Sequence, residues 1–391
     1  MRTTSIKALA LLAATALSAP AFAQDADPLK IGFIVTLSGP AAVLGEQARN
    51  GFLLAAEDLG EKFGGVATEV IVVDDEQKPD VAVNKVKELI ERDDVDFVVG
   101  PIFSNILQAI QPPVTSAGKF LISPNAGTSN FAGAECNPNF FVTSYQNDQV
   151  HEVLGKYAQD QGYTNVFLMA PNYQAGKDSL AGFKHSYTGG TAGEVFTTLG
   201  QLDFSAELAQ IAAFQPDAVF TFMPGGMGVN LVKQYRQAGL DGIPFLSAFT
   251  VDESTLPATQ DAALGLFGGA NWAPDLDVPK NKEFVAAYEA KYGAVPGTYA
   301  MQAYDAAQMI NAAVASVDGD LDNTDGIREG LKAADFDSLR GEFKIGANHY
   351  PVQDFYLVKA IKRDDGKYQT SIVEKIFDDY TDNYVDQCEM Q

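Results

Sequence analysis

The stretch KFLISPNAGTSNFAG, residues 119–133, joins a short apolar run to an uncharged loop of small and polar residues. The run does not alternate polar with apolar side chains, which is typical of a strand buried on both faces of a parallel sheet. In open parallel sheets, ligands lie outside the C-terminal ends of the strands. The stretch therefore predicts a parallel α/β sheet, with the loop from Ser123 to Gly133 facing a ligand.

The same alternation of strand and helix runs along most of the chain and predicts an α/β fold with two doubly wound parallel-sheet units. Continuous apolar runs predict strands at 29–37, 67–75, 95–100, 119–123, 164–170, 216–223, 243–249 and 264–272. Helical periodicity predicts helices at 46–62, 81–92, 147–161, 176–185, 228–239, 281–292 and 297–316. Residues 354–377 predict a hairpin that turns at Asp365-Gly366.

The N-terminus has the features of a secretory signal peptide at residues 1–23. Arg2 and Lys7 precede a short apolar run, which is followed by the small-residue cleavage pattern Ala21-Phe22-Ala23. The apolar run is too short to span a bilayer. Because Gln24 rather than Cys follows the cleavage site, we expect a mature chain without a lipid anchor.

The overall composition disfavours some partners but does not determine whether the two cysteines form a disulfide. A formal net charge of −24 disfavours binding to nucleic acid or anionic lipid. Cys136 and Cys388 can pair in an oxidising compartment, and two free thiols are the alternative. The two Cys and three His have no metal-ligand spacing, so we predict no metal site and no cofactor.

Six predicted strand ends are followed by residues of one character: small, hydroxylic, amide-bearing or aromatic. Any single loop of this kind is ordinary turn and helix-cap chemistry. Six together favour a ligand site at the strand ends, where glycine permits close approach and helix N-termini favour an anion. The six begin at Leu37, Gly100, Ser123, Pro171, Pro224 and Thr250.

Motifs of the common enzyme classes are incomplete. Leu231 replaces the third glycine after Gly226-Met227-Gly228, and Asp178 follows Gly176-Lys177 where a phosphate-binding loop needs Ser or Thr. Ser116 to Lys119 matches S-x-x-K, but its companion motifs are absent. No His lies at a predicted strand end, so the sequence does not indicate an enzyme.

An ordered set of motifs resembles the type I periplasmic substrate-binding proteins of ABC importers, and most closely the branched-chain amino-acid and amide receptors. These motifs are LSGP, VVGP-x-x-S, SPNAGTS, YQAGK, DFSAELAQI, PDAVF and Tyr304-Asp305-Ala306. The resemblance implies two lobes joined by three hinge crossings, a monomer, a ligand carboxylate in the cleft and a membrane permease as partner. It places lobe 1 at 24–143 plus 273–345, lobe 2 at 144–272 plus 346–391, and crossings near 143–147, 271–275 and 340–348.

The resemblance also implies a set of ligand-binding residues. Ser104 matches a hydroxyl that binds the ligand carboxylate, Ala126 a backbone contact to it, and Thr128 a second hydroxyl contact. Phe222 or Met223 takes the place of an aromatic residue of the second lobe. The full predicted set is Ser38, Phe103, Ser104, Asn125, Ala126, Thr128, Tyr173, Met223, Gly225 and Phe249.

One departure from the amino-acid receptors concerns the ligand itself. Phe249 stands where those receptors carry an acidic residue that pairs with the ligand ammonium, and a buried ammonium without a partner is costly. We therefore expect a carboxylate without an α-amino group, such as an aromatic acid, with Phe103 and Trp272 adding to an aromatic wall. SPNAGTSNFAG with Cys136, NFF and NHYPVQDFY likewise resembles the branch predicted to serve aromatic-acid uptake.

Three alternatives to an aromatic-acid receptor stay open. A one-residue misalignment would hide the acidic residue at Asp252 or Glu253 and give an amino-acid receptor. A secreted two-lobe enzyme would need a catalytic group in the cleft, for which the sequence offers no candidate. A sensing domain is disfavoured because neither a membrane-spanning helix nor a DNA-binding segment is evident.

Overall fold

Residues 27–390, which a computed structural model of the chain describes, form two β-sheets flanked by helices. The predicted signal peptide lies outside these residues. The strands are β1 Leu29–Val35, β2 Lys62–Phe63, β3 Val66–Asp74, β4 Phe97–Val99, β5 Phe120–Ser123, β6 Phe140–Val142, β7 Asn165–Pro171, β8 Gly190–Thr197, β9 Ala218–Thr221, β10 Phe245–Ser247, β11 Phe267–Ala270, β12 Lys344–Ile345, β13 Pro351–Lys362 and β14 Tyr368–Tyr380.

Helices cover both sheets. They are α1 Ala42–Asp58, α2 Pro79–Glu91, α3 Ser104–Ser116, α4 Ser129–Ala132, α5 Gln149–Asp160, α6 Gln174–Ser186, α7 Ser205–Phe214, α8 Gly226–Gln237, α9 Leu256–Thr259, α10 Pro279–Tyr292, α11 Thr298–Ala315 and α12 Thr324–Ala333. Short 3₁₀ turns occur at Gly39–Ala41, Gln260–Ala263 and Val385–Gln387. Within the described residues, no helix is long and apolar enough to cross a membrane.

The sheets have the parallel centres that the apolar runs predict. The first sheet has the order β2-β3-β1-β4-β5-β6, and the second runs β12-β13-β11-β10-β9-β7-β8, with β14 paired to β13. Every residue of β4 and of β5 is buried, because helices cover both faces of the sheet. The C-terminal hairpin adds antiparallel strands to one edge of the second sheet. This is the predicted α/β fold class.

The prediction missed elements that lack a buried apolar run. Strand β8 lies at the edge of the second sheet and most of its side chains are at least partly exposed, so its sequence shows no continuous apolar segment. Helices α3, α7 and α12 were also not predicted. Helix α1 begins at Ala42 instead of Glu46, because the 3₁₀ turn Gly39–Ala41 leads directly into it.

Helix α11 follows strands of the second sheet in the chain but packs against α1, beside the first sheet. The two backbones come so close that a Cβ on Gly51 would lie 2.0 Å from the carbonyl oxygen of Ala300. Any side chain larger than glycine at this position would force the helices apart. This contact returns the chain from the second sheet to the first. We call each sheet, with the helices packed against it, one half of the molecule.

Three chain segments connect the two halves, and they meet at a group of buried polar residues that we call the hinge hub: Ser144, Asn271, Asp305, Arg340 and Gln353. The carbonyl oxygen of Ser144 accepts hydrogen bonds from Asn271 Nδ2 at 3.1 Å, Arg340 Nη1 at 3.3 Å and Gln353 Nε2 at 2.6 Å. Arg340 Nη2 pairs with Asp305 Oδ2 at 2.9 Å. Each predicted crossing contains one hub residue, although the residue boundaries of the two lobes remain a prediction.

A disulfide joins Cys136 to Cys388, with the Cα atoms 5.6 Å apart and a sequence separation of 252. Hydrogen bonds also hold the residues before Cys388 in place. Tyr384 donates its hydroxyl to Asp148 Oδ2 on the second half at 2.8 Å. Asp382 accepts a hydrogen bond from Asn348 Nδ2, also at 2.8 Å.

The hinge hub predicts a large stability loss for Arg340→Met. The substitution leaves the Asp305 carboxylate buried without its cation, so we expect a cost of about 3–5 kcal/mol in unfolding free energy. Urea unfolding followed by circular dichroism measures it. Lys332→Met, which removes an exposed pair with Glu329, is the control and should cost less than about 1 kcal/mol. Equal effects of the two substitutions would contradict the importance of the hub.

Candidate ligand-binding site

A pocket lies between the two halves, where loops leave the C-terminal ends of parallel strands in both sheets. Its walls combine segments that follow β4, β5 and β6 with segments that follow β7, β9 and β10. The lining residues are Leu44, Ile102, Phe103, Ser104, Asn125, Ala126, Tyr145, Asn147, His151, Tyr173, Ala175, Phe222, Pro224, Phe249 and Tyr299.

The structure brings six of the ten predicted ligand-binding residues together in this pocket: Phe103, Ser104, Asn125, Ala126, Tyr173 and Phe249. All six come directly after a strand or at the start of the helix that follows it. These residues were predicted from the resemblance, and their positions agree with the rule that ligands face strand ends. That these residues bind a ligand remains a prediction.

Four predicted residues and Trp272 lie outside the lining of this pocket. Met223 points into the core of the second sheet, because successive residues of an extended chain face opposite sides and its neighbour Phe222 faces the pocket. Ser38 is exposed ahead of the turn that leads into α1. Trp272 is buried elsewhere, where its indole N–H donates to Asn281 at 2.8 Å.

Thr128 and Gly225 are the other two predicted residues outside the lining. Thr128 is fully buried, and its carbonyl accepts a hydrogen bond from the hydroxyl of Tyr350 at 3.0 Å. Gly225 has a φ of 62° immediately before α8 and lines a wider neighbouring groove. The backbone at Gly225 therefore turns away from the pocket.

Sequence reasoning missed several lining residues that do not follow an interior strand. Tyr145 and Asn147 lie in the first predicted crossing, directly after β6, and were visible as a further strand end. Tyr299 and His151 lie in the first turns of the long helices α11 and α5. On such helices, a buried aromatic residue has the same pattern as ordinary helix packing, so periodicity alone does not identify it.

Three helices begin at the pocket wall, and helix N-termini are positions that favour anions. Helix α3 begins at Ser104, which lines the pocket, and its first N–H groups have no partner within the helix. Helix α6 begins just after Tyr173, and α11 begins just before Tyr299. The positive ends of these helix dipoles therefore lie at the pocket wall.

Hydrogen bonds fix the orientation of the Ser104 hydroxyl. Asn147 Nδ2 donates to Ser104 Oγ at 3.1 Å and to Asp178 Oδ2 at 2.8 Å, so both of its N–H bonds are used. Because Ser104 Oγ accepts from Asn147, its own hydrogen is free to be donated elsewhere. Asp178 is itself held by Ser129 Oγ at 2.9 Å and Gln174 Nε2 at 2.7 Å. Ser104 is thus prepared to donate to a ligand oxygen.

The loop that follows β5 is held rigidly against the first crossing. Gly127 donates its N–H to Asn147 Oδ1 at 3.0 Å, and a Cβ at this position would lie 1.9 Å from the carbonyl oxygen of Tyr145. Asn125 donates to the Ile102 carbonyl at 2.7 Å and accepts from the Tyr145 hydroxyl at 3.2 Å. These bonds position the backbone of Ala126 at the pocket wall.

Aromatic rings form most of the remaining wall. Phe249 stacks on Tyr145 with ring centroids 5.3 Å apart, and it also contacts Tyr299 at 5.7 Å and Phe222 at 6.4 Å. Tyr173 lies between Phe103 and Phe222. Phe249 has a φ of 57°, a left-handed conformation that costs a bulky residue free energy and is found chiefly where function requires it.

Comparison with known proteins agrees with a fold of two α/β halves and a pocket between them. A family model described as periplasmic binding protein matches residues 28–367. The chain belongs to this family. It is 29% identical over 381 residues to Leu/Ile/Val-binding protein homolog 6 of Brucella melitensis, which covers 94% of this chain and 97% of that protein.

Two similar solved structures contain aromatic acids. A solute-binding protein of a Rhodopseudomonas palustris ABC transporter, in complex with benzoate, has a TM-score of 0.88 and 31% identity over 93% of this chain and 100% of its own. A second, from Rhodopseudomonas palustris BisB5 in complex with 3,4-dihydroxybenzoic acid, has a TM-score of 0.84 and 31% identity, covering 91% and 99% of the respective chains.

The pocket of this periplasmic binding protein has no formal charge. Its lining, drawn from residues 27–390, contains no Asp, Glu, Lys or Arg. Burial raises the pKa of Tyr145, Tyr173 and Tyr299 far above the usual range, so all three phenols are neutral. Burial lowers the pKa of His151 to about 3, so its imidazole is neutral as well.

The two acidic residues of the amino-acid alternative do not reach the pocket lining. Asp252 accepts hydrogen bonds from the backbone of Ser254 and Thr255, and Glu253 accepts from the N–H of Thr370. Phe249 therefore occupies the wall where the sequence placed it, and neither carboxylate replaces it. No group of His, Cys, Asp and Glu in the described part of the chain is arranged to hold a metal ion.

The enclosed space at the centre of the pocket is about 20 Å³, which is room for one water molecule. An aromatic ring is much larger than this volume. Because the walls come from both halves, separation of the halves at the hinge hub would open the pocket to a ligand. The structure thus shows a closed arrangement.

Buried acidic residues next to the pocket predict a pH-dependent stability. Burial, with Asp178 nearby, raises the pKa of Asp148 from 3.8 to about 8. The folded protein therefore holds this proton more tightly than the unfolded chain does, and stability falls as the pH rises from about 4 to about 8. Asp148→Asn removes the titrating group, so we expect a flatter dependence of the urea midpoint between pH 5 and pH 8.

Asp325→Asn is the matched control, because Asp325 is exposed on α12. This variant should keep the dependence of the wild type. Some slope should remain in Asp148→Asn, since burial also raises the pKa of Glu253 to about 7. An unchanged slope in Asp148→Asn would show that Asp148 does not take up a proton on folding.

Proposed function

We propose that this protein is the periplasmic substrate-binding component of an ABC importer and that its ligand is a small aromatic carboxylate. It binds the acid between its two halves and delivers it to a membrane permease. The single observation that supports this ligand class is the uncharged pocket lining. In it, the Phe249 ring stands where an acidic residue would pair with a ligand ammonium, and the Ser104 hydroxyl is free to donate a hydrogen bond. The proposal includes export to the periplasm, a monomer, and action by binding without catalysis.

The pocket chemistry suits a carboxylate attached to an apolar ring. Hydrogen bonds from Ser104 and from N–H groups at the start of α3 would neutralise the carboxylate charge, and hydrogen bonds to a charged acceptor are stronger than neutral ones. Rings of Phe103, Tyr173, Phe222 and Phe249 offer stacking and edge contacts to an aromatic body. An α-ammonium group would find no anion on these walls and would pay an uncompensated desolvation cost.

The comparisons support this proposal. Benzoate and 3,4-dihydroxybenzoic acid are the ligands of the two Rhodopseudomonas palustris proteins, which share 31% identity with this chain and align over more than nine tenths of it. Both are solute-binding proteins of ABC transporters. Each of these ligands carries one carboxylate on an aromatic ring, which suits the uncharged, aromatic lining described above.

An amino-acid receptor is the second candidate. The Brucella melitensis relative is named as a Leu/Ile/Val-binding protein homolog, and Asp252 Oδ2 is buried without a hydrogen-bond partner among residues 27–390. An ammonium that reached this oxygen would satisfy it. Direct binding measurements separate the two candidates.

A thermal-shift screen with benzoate, 4-hydroxybenzoate, benzamide, leucine and phenylalanine tests the ligand class. We expect the aromatic acids to raise the melting temperature of the mature protein, since a ligand at 100 times its Kd adds about 2.7 kcal/mol of stability. Benzamide, which keeps the ring but lacks the charge, is the control and should have little effect. A shift with leucine or phenylalanine alone would support the amino-acid receptor and reject the aromatic acid.

The Ser104→Ala variant tests the carboxylate contact. Loss of a hydrogen bond to a charged group should weaken benzoate binding by about 1 to 3 kcal/mol, measured by isothermal titration calorimetry. Ser205 also begins a helix, α7, but is exposed and remote from the pocket lining, so Ser205→Ala should bind like the wild type. Unchanged affinity in Ser104→Ala would remove this hydroxyl from the site.

A further inference from the structure

His151 is the one imidazole in the pocket lining, and no step of the proposed carboxylate recognition uses it. It lies in the first turn of α5, and its side chain is 2% exposed. Its ring stands edge-on to Phe222, with centroids 5.1 Å apart, and to Phe220 at 5.7 Å. Aromatic contacts thus hold the ring in one orientation at the pocket wall.

The Nδ1 atom of His151 is buried and has no hydrogen-bond partner among residues 27–390. An unsatisfied buried polar atom destabilises a protein by about 1–3 kcal/mol, so its persistence calls for an explanation. Because burial keeps the imidazole neutral, one ring nitrogen is a donor and the other an acceptor. Such a ring pairs with a neutral hydroxyl and offers no charge to an ammonium or a second carboxylate.

The position of His151 in the pocket specifies where on a ligand such a hydroxyl would lie. Ser104 and Ala126 belong to loops of the first sheet, whereas His151 and Phe222 are on the side of the second sheet. A ligand that places its carboxylate at Ser104 and its ring between the two sheets would bring part of the ring to this second side, where His151 lies.

We propose that His151 is a specificity-determining residue that hydrogen-bonds a hydroxyl group on the part of the ligand ring that lies against the second-sheet side of the pocket. The preferred ligands are then hydroxylated aromatic acids, and unsubstituted or methylated acids bind less tightly because they leave Nδ1 without a partner. This inference rests on the proposed function, since it assumes that an aromatic acid binds with its carboxylate at Ser104.

Calorimetric titration of the mature protein with four probes tests the inference: benzoate, 3-hydroxybenzoate, 4-hydroxybenzoate and 4-methylbenzoate. We expect the wild type to bind at least one hydroxybenzoate about tenfold more tightly than benzoate and 4-methylbenzoate, as one well-placed neutral hydrogen bond gives. His151→Leu should abolish this preference, so that hydroxybenzoates no longer bind more tightly than benzoate and 4-methylbenzoate. His151→Asn, whose amide stands near the position of Nδ1, should retain part of the preference.

The outcomes separate this inference from the proposed function. Binding of benzoate without any preference for a hydroxyl in the wild type overturns the role of His151 and leaves the carboxylate receptor intact. Failure of all four aromatic acids to bind overturns both. If His151→Leu weakens the binding of all four probes equally, His151 serves only to pack the pocket wall, and the inference fails.

A spectroscopic measurement covers the case in which the apolar variant does not fold. The ¹⁵N chemical shift of the His151 imidazole in the wild type should move on addition of the preferred hydroxybenzoate and should move much less with benzoate. Equal shifts with both ligands would contradict a direct hydrogen bond to the hydroxyl. His151→Phe serves as a second apolar variant of similar volume.

Discussion

One backbone carbonyl, that of Ser144, ties together the three chain segments that join the two halves of this protein. It accepts hydrogen bonds from Asn271, Arg340 and Gln353, so a single oxygen fixes the relative position of segments that are distant in the sequence. The next residue, Tyr145, lines the pocket, and Asn147 orients the Ser104 hydroxyl. Hinge stability and pocket geometry therefore depend on the same few residues, and damage to one disturbs the other.

A receptor that must release its ligand benefits from a pocket without formal charge. Here the charge of a carboxylate would be balanced by N–H groups, a hydroxyl and helix dipoles, each of which contributes modestly. A buried Lys or Arg would destabilise the ligand-free protein, because its charge would lose its hydration, and it would hold the anion strongly. The buried carboxylates near the hinge, Asp148 and Asp178, are instead kept behind the wall, where burial raises the pKa of each.

The sequence predicted the features that depend on local pattern. Strands β4 and β5 were evident because they are buried on both faces, and Ser104, Asn125 and Ala126 were located because they follow those strands. The sequence left Phe222 and Met223 as alternatives, and only Phe222 lines the pocket. A shift of one residue moves a side chain to the opposite face, and periodicity does not fix that register. Tyr299 and His151 lie on helices, where only tertiary packing distinguishes a pocket wall from a core.

The disulfide between Cys136 and Cys388 closes a covalent ring that contains every strand of the second sheet, from β7 to β14. A protease that cuts an exposed loop within this ring, such as the one around Leu202, opens the ring without releasing a fragment. The nicked molecule stays in one piece until the disulfide is reduced. The bond thus protects the integrity of the receptor after cleavage as well as constraining its unfolded chain.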